Sequence, residues 1–181
     1  MKLSRHPGSP PSPADEIDVV ATRPGDRRLS LLFTVRGDIG RIRIPTAATP
    51  DRKDGLWRHS CFEAFIREPQ RKDYLELNLS PSGDWAAYRF DDYRTGMAPL
   101  AIPAPTIQCQ AIEKELGMAA DIDLASVAEP GVCEIWQLGL SAVIEADDGS
   151  LSHWALVHSR GAADFHHPDC FVLELPPASE P

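Results

Sequence analysis

The chain has 181 residues, a length that suits one domain with a sizeable core and leaves no room for two large ones. Hydrophobic residues make up 43% and charged residues 25%, which is typical of a globular protein rather than a disordered one. The formal net charge is −9 and no run of Lys or Arg exceeds two residues, which excludes the basic surface that nucleic-acid binding requires.

Neither a membrane anchor nor a secretory signal is expected. No apolar stretch approaches the roughly 20 residues of a membrane helix, and residues 1–16 lack the apolar segment of a signal peptide. The cysteines follow no C-x-x-C spacing, which favours reduced, buried thiols. These features predict a cytoplasmic protein without a membrane partner. The four cysteines are Cys61, Cys109, Cys133 and Cys170.

Proline-rich ends flank the predicted domain. Residues 6–15 and 176–181 are rich in proline, which lacks a backbone donor and has a fixed φ. We therefore expect a disordered N-terminal segment over 1–15, one domain over 16–175 and a disordered tail over 176–181.

Between the two ends the sequence alternates with period two, as half-buried strands do. No helical periodicity persists for three turns, although 123–130 has room for one turn. Short strands separated by Gly, Pro and Asp turns predict an all-β, antiparallel β-sandwich of about ten or more strands. The alternating segments are 17–23, 29–36, 41–44, 61–66, 74–79, 85–90, 105–113, 116–124, 136–144, 152–158 and 171–175.

The segment 74–90 predicts a β-hairpin. Ser82-Gly83 favours a two-residue turn, because glycine adopts the positive φ that such turns need. This turn would place Glu76 opposite Arg89, with Trp85 on the same face and the leucines on the other. We then expect Arg89 to lower the pKa of Glu76.

The preceding strand extends the polar face of this hairpin. If its apolar residues face the same side as the leucines, Glu63 lies near Asn78 and Glu76. The resulting candidate binding face consists of Trp57, His59, Glu63, Glu76, Asn78, Trp85 and Arg89.

Two interpretations of this face stay open. It is either the solvated outside of the sandwich, with a weak cross-strand ion pair, or a ligand groove. In the second case the carboxylates, amide and guanidinium bind hydroxyl groups, and the tryptophans stack on a sugar-like ring.

A histidine-rich segment follows near the C-terminus. His158, Asp164 and His166 are secondary candidates for ligand binding, but their spacing matches no familiar metal site, so no metal is predicted. Glu63 and Glu76 have the residue type of a general acid and base. A carboxylate paired with arginine suits binding better than acid catalysis, so no catalytic residue is assigned.

Longer motifs in the chain resemble bacterial DOMON-like domains, which are related to family 9 carbohydrate-binding modules and to haem-binding DOMON domains. They span residues 55–65, 74–88, the Tyr93-Arg94 pair, 153–158 and 164–166. The resemblance implies a β-sandwich with a ligand groove on one face. Its sugar-binding relatives hold a sugar between tryptophans, for which Trp57 and Trp85 are the nearest candidates.

The haem-binding relatives use a Met and a His as axial ligands, and no matching pair is found here, so no cofactor is predicted. The sequence therefore favours a non-catalytic module for a sugar-like or other small polyhydroxylated ligand. A hydrolase of glycosides or esters, a haem-binding domain and a protein-interaction module are the alternatives.

Overall fold

The computed structural model describes residues 1–46, 49–127 and 135–178, whose backbone forms twelve strands and three short 3₁₀ helices. The helices are Ile39–Arg41, Leu56–Arg58 and Pro168–Cys170. The strands are β1 (Lys2–Arg5), β2 (Ala14–Gly25), β3 (Arg28–Gly37), β4 (Cys61–Arg67), β5 (Tyr74–Leu79), β6 (Trp85–Phe90), β7 (Ala98–Pro99), β8 (Thr106–Ile112), β9 (Glu115–Asp123), β10 (Trp136–Glu145), β11 (Leu151–Ala155) and β12 (Leu173–Leu175).

The strands form one curled antiparallel sheet that folds onto itself as a sandwich. Its order is β7-β6-β5-β4-β10-β11-β1-β2-β3-β9-β8, and β12 pairs with β10 beside this path. One layer contains β4–β7 and β10–β12, and the other contains β2, β3, β8 and β9. The predicted all-β antiparallel sandwich is confirmed.

The core between the layers follows the alternation in the sequence. Leu31 and Phe33 of β3 are buried, as are Leu138 and Leu140 of β10, and all four belong to one apolar cluster. Because side chains alternate between the faces of a strand, the alternation of apolar and polar residues is enough to bury one face of each strand. The strands predicted at 29–36, 116–124 and 136–144 are found as β3, β9 and β10.

The N-terminus differs from the expected disorder. Lys2–Arg5 forms β1, in which Leu3 pairs with Ile17 of β2 and Arg5 with Trp154 of β11. This strand joins the two layers, and Leu3 is only 2% exposed. The proline-rich composition of 6–15 does not extend to residues 2–5, so these residues keep their backbone donors and complete the sheet.

Three further predictions have different outcomes. The strand expected at 41–44 is absent, and only Ile42 forms an isolated bridge, to Ala146. The helical turn expected at 123–130 begins as a turn in which Val127 N donates to Leu124 O at 3.0 Å. The rest of that segment, Cys133 and residues 179–181 lie outside the described residues.

The β5–β6 hairpin has a register one residue away from the predicted one. Leu79 pairs with Trp85, Glu76 with Tyr88 and Leu75 with Arg89. Glu76 and Arg89 therefore lie on opposite faces, and the prediction that they share a face was wrong.

The connection between these strands is longer than two residues, and its own hydrogen bonds explain the shift. Ser80 N donates to Asp84 O at 2.9 Å, and the hydroxyl of Ser82 donates to Asp84 Oδ2 and accepts from the hydroxyl of Ser80, each at 2.9 Å. The polar side chains thus close a five-residue loop, which turns Trp85 into the core, where it is 8% exposed.

In the three described ranges, no helix is long and apolar enough to cross a membrane.

We predict that Leu3→Ala lowers the free energy of unfolding by about 2–5 kcal/mol, because it truncates a buried side chain between the two layers. Denaturation with urea measures this effect. Val20→Thr serves as the control, since Val20 is 53% exposed on β2 and should change stability by about 0.5 kcal/mol or less. Equal stability of Leu3→Ala and the unmutated chain would show that β1 does not contribute to the fold.

Candidate functional site

A cavity of about 340 Å³ lies on the outer face of the layer that contains β4, β5 and β10. We use "outer face" for the side of this layer that points away from the core. Glu63 and Glu76 reach the cavity because their strand neighbours, such as Ala64 and Leu77, point into the core. The cavity is lined by Trp57, Glu63, Glu76, Phe90, Arg94, Met97, Val143, His153, Ala163, Phe165 and His166.

Two buried glutamates, which we call the acidic pair, lie at the base of the cavity. Glu63 of β4 is 3% exposed and Glu76 of β5 is 5% exposed. Ser141 Oγ donates to Glu63 Oε2 at 3.0 Å, and Asn78 Nδ2 donates to Glu76 Oε1 at 2.6 Å. The predicted proximity of Glu63 to Asn78 is confirmed, since these residues are direct partners in the sheet.

Burial makes both members of the acidic pair hard to ionise. It raises the pKa of Glu63 to about 8, with a further contribution from the charge of Glu76. Burial also raises the pKa of Glu76, against the hydrogen bond from Asn78. The prediction that Arg89 lowers the pKa of Glu76 was wrong, because Arg89 is on the opposite face.

Aromatic side chains surround the acidic pair. Tyr74 and Phe90 stack with ring centroids 4.7 Å apart and planes at 4°. Trp57, in the 3₁₀ helix Leu56–Arg58, meets Tyr88 edge-on at 6.3 Å and is 37% exposed. Trp57 therefore offers an accessible indole at the cavity, which Phe90 also lines.

One carboxylate, that of Asp164, connects the loop 156–167, which follows β11, to the segment after β6. Asp164 accepts hydrogen bonds from Arg94 Nη2 at 2.7 Å and Nε at 3.2 Å, and also from the hydroxyl of Tyr93. Burial alone would raise the pKa of Asp164, but these hydrogen bonds lower it. The ion pair ties the loop to the segment that follows β6.

His166 lies at the inner side of this loop. Its Nδ1 is 2.8 Å from the hydroxyl of Tyr74, and its Nε2 is 3.8 Å from Glu76 Oε2. Burial, together with the charge of Arg94, lowers the pKa of His166 to about 4. The imidazole is therefore neutral at physiological pH and adds no positive charge beside Glu76.

A second group of histidines lies beside the cavity. His153 lines it from β11, while the ring of His158 packs edge-on against His6 at 4.9 Å. His158 Nε2 is 2.8 Å from Ser4 O, so this residue anchors β1 and does not line the cavity. Within the described ranges, no group of three or more His, Cys, Asp or Glu is arranged to hold a metal ion.

The predicted binding residues separate into several groups. Trp57, Glu63, Glu76 and His166 line the cavity. Asn78 and Asp164 support its lining residues. His59 is 2.7 Å from Glu145 and does not line the cavity, and His158 lies with His6. Trp85 and Arg89 are on the other face.

Sequence reasoning missed several lining residues. Phe90 follows from the corrected register, since it shares the face of Glu76. Arg94 belongs to the Tyr93-Arg94 motif, although no periodicity places that motif at the cavity. Met97, Val143, His153, Ala163 and Phe165 come from segments whose proximity only the fold creates.

No protein-family profile matches the sequence, and no curated protein matches it either. Solved structures do share its fold. A candidate carbohydrate-binding protein from Bacteroides uniformis ATCC 8492 superposes with a TM-score of 0.61 at 12% identity, over 96% of this chain and 86% of that one.

Two structures of a family 9 carbohydrate-binding module from Caldicellulosiruptor kristjanssonii are also similar. The complex with cellotriose has a TM-score of 0.55 at 14% identity, over 92% of this chain and 76% of that one. The complex with glucose has a TM-score of 0.53 at 13% identity, over 99% of this chain and 86% of that one. These similarities establish the β-sandwich fold of carbohydrate-binding modules for this chain.

We predict that Glu63→Gln changes the pH dependence of stability. The pKa of Glu63 rises from 4.5 in the unfolded chain to about 8 in the folded one. Between these values only the unfolded state loses the proton, so stability falls as the pH rises from about 4.5 to 8. The glutamine has no proton to lose and should flatten this decline by a few kcal/mol.

Denaturation at a series of pH values, for the unmutated chain and the variant, measures this difference. Glu174→Gln, at an exposed position on β12, is the control and should follow the unmutated chain. Parallel curves for the unmutated chain and Glu63→Gln would mean that Glu63 ionises normally in the folded state.

Proposed function

We propose that the chain is a non-catalytic binding protein that holds a small polyhydroxylated ligand, such as a sugar, in the outer-face cavity. The observation that carries this proposal is the composition of the cavity, where Trp57 and Phe90 lie beside the carboxyl groups of Glu63 and Glu76. Aromatic rings contact the apolar faces of a sugar, while carboxyl groups exchange hydrogen bonds with its hydroxyls.

The size of the cavity also supports this ligand class. A volume of about 340 Å³ falls at the lower end of the range for small-molecule sites, roughly 300–1,000 Å³. Similarly folded structures from C. kristjanssonii contain glucose or cellotriose. The identities are too low to transfer their binding residues, so the proposal rests on the cavity of this chain.

The acidic pair suits ligand binding. Both carboxyl groups are buried, and each accepts a hydrogen bond from a neutral side chain, Glu63 from Ser141 and Glu76 from Asn78. Carboxyl groups fixed in this way can exchange hydrogen bonds with the hydroxyls of a ligand. The DOMON-like assignment and the cytoplasmic location stay predictions from the sequence.

Titration with a panel of neutral and charged mono- and disaccharides, followed by tryptophan fluorescence and calorimetry, tests this proposal. We expect at least one sugar to bind, and Trp57→Ala to weaken its binding at least about fivefold through loss of the stacking surface. Trp85→Phe is the matched aromatic control, because Trp85 is buried in the core on the opposite face.

Trp85→Phe should leave the affinity unchanged in a folded protein, which thermal unfolding verifies. The proposal is contradicted if no sugar of the panel binds. It is also contradicted if Trp57→Ala binds sugars as tightly as the unmutated chain, because the site would then lie elsewhere.

A further inference from the structure

The charges around the cavity are unbalanced. Among the described residues, no Lys or Arg forms an ion pair with Glu63 or Glu76. Arg94 also lines the cavity, but its guanidinium is held by Asp164 at 2.7 Å. The nearest ring nitrogen is that of His166, 3.8 Å from Glu76, and this imidazole is neutral at physiological pH.

Each member of the acidic pair has one oxygen without a hydrogen-bond donor. Ser141 donates to Oε2 of Glu63 and Asn78 to Oε1 of Glu76, whereas no donor to the other oxygen of either group is found in the part of the chain that the structure describes. The Glu63 side chain is 3% exposed and lines the cavity. Neither of the two oxygens without a donor belongs to the fully enclosed, unpartnered side-chain atoms of the described residues, so each is open to a donor group on an occupant.

A protonated amine satisfies both conditions better than a hydroxyl group does. A hydroxyl supplies one donor and no charge, whereas an ammonium supplies up to three donors and a positive charge. Buried carboxylates are normally compensated by a cation because their desolvation is costly. Trp57, Phe90 and Phe165 also line the cavity, and aromatic rings attract cations to their faces.

The cavity fits an organic cation better than a bare metal ion. Its volume of about 340 Å³ exceeds what an ion with oxygen contacts of about 2.0–2.6 Å requires. The apolar side chains of Trp57, Val143 and Phe165 contribute to its lining, and these offer contacts to a carbon framework rather than ligands to a metal.

We infer that the ligand of this cavity carries a protonated amine that binds between Glu63 and Glu76, as an amino sugar would. This inference rests on the proposed function and names its ligand class. The titratable and charged groups around Glu63 are Cys61 on its own strand, Glu76 on β5, His153 on β11, and Arg94 and His166 from the segments over the outer face.

Matched sugars test this inference by isothermal titration calorimetry at pH 7. Glucosamine and galactosamine are compared with glucose and galactose, and with the N-acetyl derivatives, which keep the nitrogen but lose its charge. We expect an amino sugar to bind about 10–100-fold more tightly than its neutral counterparts, as a charge-assisted hydrogen bond provides.

Substitutions in the acidic pair test whether the amine of the ligand binds there. Glu63→Gln and Glu76→Gln preserve side-chain size and should each weaken amino-sugar binding about tenfold or more, and weaken the binding of a neutral sugar by a smaller factor, because glutamine keeps a hydrogen-bond acceptor but loses the charge. Glu174→Gln, exposed on β12, should change neither. Binding heats measured in buffers of different ionisation enthalpy should also show proton release at pH 7, because the bound ammonium drives the ionisation of Glu63.

The outcomes separate this inference from the proposed function. Equal affinity for neutral and amino sugars, or tighter Glu63-dependent binding of Ca²⁺ than of amines, overturns the inference and leaves sugar binding intact. If cyclohexylamine binds in a Glu63-dependent manner and no sugar binds, the result supports an amine ligand. It then contradicts the proposal of a polyhydroxylated ligand. If neither sugars nor amines bind, the inference and the proposed function both fail.

Discussion

The central strands of one layer are buried on both faces, and the candidate site depends on this constraint. All six residues of β5 are buried, and so are the first six residues of β4. Their apolar side chains fill the core between the layers. Their polar side chains point to the outer face, which is covered by aromatic rings, by the 3₁₀ helix Leu56–Arg58 and by the loop 156–167. Glu63, Glu76 and Asn78 are therefore removed from water by the same strands that build the core.

Three acids on this face show how their partners decide their chemistry. Asp164 has a lowered pKa because Arg94 and Tyr93 donate hydrogen bonds that outweigh its burial. Among the residues that the structure describes, Glu63 and Glu76 receive hydrogen bonds only from neutral groups, Ser141 and Asn78, and burial raises the pKa of both. The ion pair of Asp164 and Arg94 thus keeps the loop in place, whereas the acidic pair retains its capacity to bind a donor or a cation.

The sequence predicted the sandwich and part of the cavity lining, and particular residues show why it went no further. The alternation in β3, β9 and β10 identifies their buried faces without tertiary information. The same alternation correctly placed Glu63 beside Asn78. It did not reveal the true β5–β6 register, because the polar groups of Ser80, Ser82 and Asp84 form a five-residue loop where the glycine suggested a two-residue turn. That difference of one residue moved Trp85 and Arg89 to the other face.

The order of polar and apolar residues determined by itself that the chain forms strands and which side chains of one strand share a face, because a strand alternates with period two. Which face is covered depended on the tertiary structure. Only the folded chain brings Arg94, His153 and Phe165 to the acidic pair, since these residues are distant in sequence and meet where loops cross the outer face. Burial and charge pairing are properties of that assembled environment, so they set the chemistry of Glu63 and Glu76 only after the fold is complete.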